Sequence, residues 1–185
     1  MTVALTLLLA LPLTACASGA QSTSTALGVG AIEQIAPKDR KSVARITGRL
    51  LDGGTYDSAQ NNGEVVVYNL WGSWCAPCRK EAPILAKVAA EYLNDGVRFV
   101  GVNVRDNDDA AKAFERKFGI DYPSLTTGSS SQALLAFGNA LPPNAVPITL
   151  IVDRSGKLAA RIIGVTTYVT LSALVTDAAG EVAIP

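Results

Sequence analysis

A chain of 185 residues in which 49% of the side chains are hydrophobic can bury one sizeable core but not two comfortable ones, so a single globular domain is expected. Sixteen Lys and Arg balance sixteen Asp and Glu with no dense block of either sign, which argues against a nucleic-acid partner held on a basic face. Histidine is absent, so the commonest zinc, copper and nickel ligand and the commonest general base near neutral pH are both missing, and any chemistry must come from other side chains.

The first fifteen residues, MTVALTLLLALPLTA, carry no charged side chain and form an apolar run broken by Pro12. A membrane-spanning helix needs about 20 apolar residues and a signal-peptide core about 7 to 15, and the shorter requirement fits. Residues 1–15 therefore read as a signal peptide. The run ends in Leu13-Thr14-Ala15-Cys16, which resembles the lipobox of bacterial lipoproteins, although no basic residue precedes it. That resemblance implies that Cys16 is lipidated, becomes the new N-terminus and anchors the chain to a membrane. Ordinary cleavage that leaves Cys16 free, or a frayed apolar terminus, are the alternatives. The stretch ASGAQSTSTALGVGA that follows is rich in Ser, Thr, Gly and Ala without an apolar period. Residues 16–41 are thus expected to be a lipidated cysteine with a flexible tether, and residues 42–185 the folded domain.

Val43 to Thr47 reads as a strand, and Asp52-Gly53-Gly54 and Asn61-Asn62-Gly63 as turns bracketing Tyr56, together an N-terminal hairpin. Glu64 to Trp71, EVVVYNLW, is a β-branched and aromatic run that predicts a central strand buried on both faces and stopped by Gly72. Ala76 to about Leu93 carries apolar residues at a helical period, with a kink expected at Pro83. Val97 to Val104 reads as a strand and Asp108 to Phe118 as a helix with acidic residues first, basic residues last and Gly119 as its cap. Tyr122 to Leu125 reads as a short extended piece, and the next helix is placed near Ser131 to Phe137. Ile148 to Val152 and Leu158 to Ile163 are strands joined by a turn at Asp153-Arg154-Ser155-Gly156, and Tyr168 to Ala179 is a closing helix. This order predicts an α/β fold, a mixed sheet with helices on both faces.

Cys75 falls where the central strand ends and a helix begins, so its sulfur should meet unpaired backbone amides and the positive end of the helix dipole. In such a Cys-X-X-Cys setting the thiol pKa falls from about 8.5 to between about 3.5 and 7.5. Cys78, one turn further in, would be shielded and would resolve a mixed disulfide formed at Cys75. A structural staple is a weak alternative, because closing so short a loop constrains almost no chain entropy. A metal centre is an equally weak alternative: zinc wants four ligands, and the chain offers neither a second cysteine pair nor a histidine. Neither a metal nor a bound cofactor is required.

Trp74-Cys75-Ala76-Pro77-Cys78 after a hydrophobic strand, with Val146-Pro147 some seventy residues later, resembles the thioredoxin superfamily. The flanking Asn69-Leu70-Trp71-Gly72-Ser73 and Arg79-Lys80-Glu81-Ala82-Pro83 resemble its exported TlpA/ResA-like, or redoxin, branch. The resemblance implies a thioredoxin-like fold, with a helix-strand insertion between Val104 and Pro147. It also implies a cis Pro147 facing the disulfide loop, and a preceding Val146 whose backbone offers hydrogen bonds to an extended substrate. Thioredoxin's buried aspartate is replaced by Asn69, which cannot titrate. Glu81 matches a family glutamate that could tune the thiols and accept the Cys78 proton, the competing reading being a solvated charge. Trp74 is expected to cover the disulfide, with Ala76 and Pro77 completing the active-site loop and Trp71 serving packing.

The expected function is an exported, membrane-anchored thiol:disulfide oxidoreductase acting on protein thiols and disulfides. The branch implies a reductant that takes electrons from a membrane thiol donor and passes them to apocytochrome c or another extracytoplasmic protein. Three alternatives stay open: an oxidising folding catalyst, a thiol peroxidase, and a non-catalytic binding module. If Cys16 is not lipidated, a secreted protein is the alternative to one held at the outer face of the bacterial cell membrane.

Overall fold

In a computed structural model of the protein, residues 30–181 are described. The expected signal peptide, Cys16 and the expected tether as far as residue 29 lie outside these residues. The chain forms strands β1 (Ala31–Gln34), β2 (Thr47–Arg49), β3 (Thr55–Asp57) and β4 (Val65–Trp71), then helix α1 (Ala76–Tyr92) and strand β5 (Val97–Asn103). Helix α2 (Asp108–Phe118), strand β6 (Ser124–Leu125) and helix α3 (Thr127–Phe137) follow. Strands β7 (Ile148–Val152) and β8 (Leu158–Ile163) and helix α4 (Tyr168–Gly180) complete it.

Six strands form one sheet in the order β1-β8-β7-β4-β5-β6, with β4, β5 and β6 parallel and the other pairs antiparallel. It is the thioredoxin-like α/β arrangement, and all seven residues of β4 are buried in its middle. Their alternation divides the core. Val65 and Val67 pack with Leu85 and Val88 of α1 and with Leu171 and Val175 of α4. Val66, Tyr68 and Leu70 point the other way, towards Ala133 and Phe137 of α3 and Ile46 and Tyr56 of the hairpin region. Burial on both faces is what makes a strand read as an unbroken apolar run. The Tyr56 hydroxyl lies 2.8 Å from that of Tyr68 and pins the hairpin to β4.

Helix α2 follows its sequence signals: Asn107 Oδ1 caps it by accepting the Ala110 N–H at 2.9 Å, and Gly119 ends it in the left-handed region at φ 65°. Helix α1 runs on through Pro83. In the β7–β8 turn, Asp153 Oδ1 accepts the backbone N–H groups of Ser155 and Lys157 at 2.9 and 3.0 Å.

Three expectations need correction. Residues 30–41 are not a free tether: β1 pairs antiparallel with β8, and Gly30 N–H donates to the Val165 carbonyl at 2.8 Å. All four β1 side chains are exposed, so no apolar period announces a strand whose reason is the open edge of β8. A side chain at residue 30 would lie 2.3 Å from the Ile163 carbonyl oxygen, a closeness only glycine tolerates. Arg40 then ties the segment down, donating to the Ile35 carbonyl and to Asp153, both at 3.0 Å, and to Glu181. Second, the first hairpin strand begins at Thr47, not Val43, because Ile46 is a core side chain ahead of the pairing. Third, α3 begins at Thr127, four residues before the predicted start, since its first turns carry Ser and Gly rather than an apolar stripe.

Gly101 on β5 sits where Ser124 and Trp71 converge. A methyl group there would meet Ser124 Oγ at 2.1 Å and Trp71 Nε1 at 2.7 Å. Gly101→Ala is therefore expected to destabilise the protein by about 1–3 kcal/mol through overpacking, read as a lowered urea midpoint. An unchanged midpoint would show that Trp71 is free to move.

Candidate active site

The C-terminal end of β4 delivers the chain to a turn, Gly72-Ser73-Trp74, after which Cys75 is the N-cap of α1. Its Sγ accepts the Cys78 backbone N–H at 3.1 Å, one of the donors a helix N-terminus leaves unpaired. Pro77 fits the first turn because no donor is wanted from it there. Cys75 and Cys78 are joined by a disulfide. The bond lies nearly flush with its surroundings: Cys75 is 3% and Cys78 1% exposed, while Trp74 at 48%, Ala76 and Pro77 stand exposed around it. Cys75 is the cysteine at the helix terminus, where backbone dipoles favour an anion.

The facing wall is the loop before β7. The Val146–Pro147 peptide bond is cis, Pro147 is buried, and its carbonyl accepts the Gly164 N–H at 2.8 Å. Val146 packs against a cluster formed by Trp71, Cys75, Cys78, Ala82, Ala111 and Phe114. Among the described residues no main-chain group pairs with the Val146 N–H or carbonyl. Trp71 is buried, stacked on Phe114 with centroids 4.5 Å apart, and so belongs to packing.

Glu81, on the buried face of α1 one turn beyond Cys78, is inside the protein and not a solvated charge. Its Oε1 accepts from Asn69 Nδ2 at 2.8 Å and its Oε2 from the Thr166 backbone N–H at 3.2 Å. Asn69 also donates to Thr149 Oγ1 at 3.2 Å. Burial pushes the Glu81 carboxyl up to about 7, against the opposing pull of these two hydrogen bonds. A carboxyl raised in this way, one turn beyond Cys78 on the same helix, is of the kind that exchanges a proton at ordinary pH.

The rim is fixed in part by Asp106, a residue that no sequence signal marked. It accepts from the Ser73 backbone N–H at 2.6 Å, the Ser73 hydroxyl at 2.8 Å, Asn103 Nδ2 at 3.1 Å and the Asn107 N–H at 3.0 Å. Those bonds hold its carboxyl below the usual range. Arg79 grips the other side of the same turn through the Ser73 carbonyl, at 3.1 and 2.7 Å. The Trp74 indole N–H donates to the Val104 carbonyl at 3.4 Å, and its ring lies against Gly72 and under the Arg105 guanidinium.

A family model described as Redoxin matches residues 36–177. The chain is 35% identical over 108 residues to the thiol:disulfide interchange protein HelX of Rhodobacter capsulatus, covering 58% of this chain and 57% of that one. It is 28% identical over 116 residues to the thiol-disulfide oxidoreductase ResA of Bacillus subtilis, covering 63% and 62%. The matches thus span less than two thirds of these relatives' length. Among solved structures, a DsbF homologue from Corynebacterium diphtheriae superimposes with a TM-score of 0.73 at 31% identity, over 86% of this chain and 99% of that one. A secreted thiol-disulfide isomerase from Corynebacterium glutamicum does so with a TM-score of 0.75 at 26% identity, over 87% and 98%. With a thioredoxin-like sheet, a cysteine pair at the head of its first long helix and a family match over most of its length, the chain belongs to the redoxin family, within the ResA- and HelX-like part of the thioredoxin superfamily.

Proposed function

We propose that this protein is an extracytoplasmic thiol:disulfide oxidoreductase that acts on protein substrates. The observation that carries it is a disulfide at the N-cap of α1, on the rim of the sheet, packed against Val146. In the reductive direction the Cys75 thiolate attacks a substrate disulfide, forming a mixed disulfide and expelling one substrate thiolate. The Cys78 thiol then loses its proton to the Glu81 carboxylate and attacks Cys75 Sγ, which closes the ring and expels the second substrate thiolate. One disulfide is reduced to two thiols and one pair of thiols is oxidised, so electrons balance without a cofactor. Val146 would pair with an extended substrate chain, and Trp74, Ala76 and Pro77 would border it.

The likeness to HelX and ResA supports a reductant in c-type cytochrome maturation or in extracytoplasmic thiol homeostasis, supplied by a membrane thiol donor and acting on apocytochrome c or another exported protein. Lipid attachment at Cys16, after removal of residues 1–15, would keep it at the membrane; among the described residues no helix is long and apolar enough to cross one. The second reading is a catalyst that makes or rearranges disulfides in exported proteins, supported by the similarity to the DsbF homologue and the secreted isomerase.

Trapping separates these. Expressed in the native host, Cys78→Ser should accumulate mixed disulfides at Cys75. Cytochrome precursors together with a membrane thiol donor would support the first reading, and unrelated secreted proteins alone the second. An absence of covalent adducts would overturn the oxidoreductase assignment, and hydrogen peroxide consumption by the reduced wild-type protein would favour a peroxidase.

A further inference from the structure

Arg105 lies just past the end of β5, where the helix-strand insertion begins, and is exposed. Its guanidinium reaches in two directions. One side sits 5.0 Å from the centroid of the Trp74 ring, within the range of a cation–π contact. The other forms a fork on Asn144, with Nη1 donating to Oδ1 at 2.9 Å and Nη2 to the backbone carbonyl at 3.1 Å. Asn144 stands two residues before Val146, in the loop that carries Pro147. Both ends of this link hold unusual backbone: Arg105 has φ 53° and Asn144 φ 60°, the only positive values at non-glycine positions among the described residues. Side chains resist that region, so two such residues in contact persist where the surroundings over-determine them. The next residue, Asp106, holds Ser73 from the same side. The four residues Val104 to Asn107 thus act as a clasp, which fixes the turn before Cys75 and extends one cation across to the opposite wall.

We propose that Arg105 is a positioning residue for polypeptide substrates, joining the Trp74 rim to the Asn144–Pro147 loop so that the groove beside the disulfide is pre-shaped for an extended chain. The inference rests on the oxidoreductase reading and adds to it a determinant of substrate class. A polypeptide disulfide must lie against both walls at once, whereas a small disulfide needs only access to Cys75. Fixing the walls beforehand spares a chain the ordering cost of binding, a benefit a small disulfide that engages neither wall hardly shares. Lysine cannot take over the role, because an ammonium is a point charge without the planar fork that engages Oδ1 and the carbonyl together.

The test compares kcat/KM for a disulfide-bonded polypeptide with kcat/KM for oxidised glutathione in wild type, Arg105→Ala, Arg105→Lys and Asn144→Ala. The ratio of the two should fall about tenfold in Arg105→Ala, the size expected for losing a charge-assisted fork at an exposed site, with the loss carried by KM for the polypeptide. Arg105→Lys should not restore it, and Asn144→Ala should lower it in the same sense. Without any turnover, the Trp74 indole N–H resonance should move in Arg105→Ala and amide exchange in residues 143–146 should accelerate. A ratio equal to wild type, or an equal loss on both substrates, overturns the assignment. Wild-type protein that exchanges with neither substrate would instead refute the oxidoreductase reading.

Discussion

Glu81→Gln should flatten the dependence of stability on pH between about 4.5 and about 7. The ordinary carboxyl value of 4.5 is raised to about 7 by burial, so in this interval the folded state holds a proton that the unfolded chain has released. Stability from this group is therefore fully present below pH 4.5 and is lost as pH rises through about 7. The shift corresponds to about 3 kcal/mol lost across the interval by the wild type relative to the variant. Denaturant titrations at several pH values measure it as a difference, which removes the contributions of other carboxyls such as Glu115, whose pKa is also raised by burial. Parallel curves would show that Glu81 keeps its ordinary pKa. Kinetics offer a second reading: closure of the Cys75–Cys78 ring from a mixed disulfide should accelerate with pH through about 7 in the wild type, and this rise should vanish in the variant. Loss of both the stability slope and the kinetic rise in one variant would tie the cost of burying Glu81 to its proposed role as the acceptor of the Cys78 proton.

Phe114→Ala should cost about 3–5 kcal/mol, among the largest losses expected of any single truncation here. The Phe114 ring stacks on Trp71 at 4.5 Å and leans on Phe118 at 4.6 Å, and it belongs to the cluster that contains both cysteines. Removing it leaves a cavity between the insertion helix α2 and the floor of the active site. The expected signs are a lowered urea midpoint and faster reduction of the Cys75–Cys78 bond by a small dithiol, as the wall beside the sulfurs loosens. A loss below about 1 kcal/mol, with unchanged reduction, would mean that α2 covers the site without supporting it.

Elements that bury a face were readable from the sequence: β4 as a run of Val, Tyr, Leu and Trp, α1 and α2 from period and caps, and β7 and β8 from the Asp153 turn between them. Strand β1 was not, because its side chains all face water and its pairing is a property of the β8 edge. The site divides in the same way. Cys75, Cys78, Glu81 and Pro147 could be placed by local motif and family resemblance. Thr149 and Thr166, which complete the carboxyl cluster, lie 80 and 85 residues along the chain from the partners they bond. Asp106 meets Ser73 across 33 residues, and Arg105 meets Asn144 across 39. An Asp or Arg after a strand carries no local mark of such a role; only the register that aligns the ends of β4, β5 and β7 brings these groups to one rim.

The antiparallel pairing of β1 also sets the pole of the domain at which residue 30 enters the sheet. Gly30 touches Gly164, and Gly164 bonds the Pro147 carbonyl, so the incoming polypeptide leaves the sheet about two strand spacings, or ~10 Å, from the proline loop. A leash fastened at Cys16 would contain fourteen residue steps before Gly30, at most about 50 Å of contour. Such a leash would join the domain on the same side as the disulfide and the proline loop, not on the side of the β7–β8 turn.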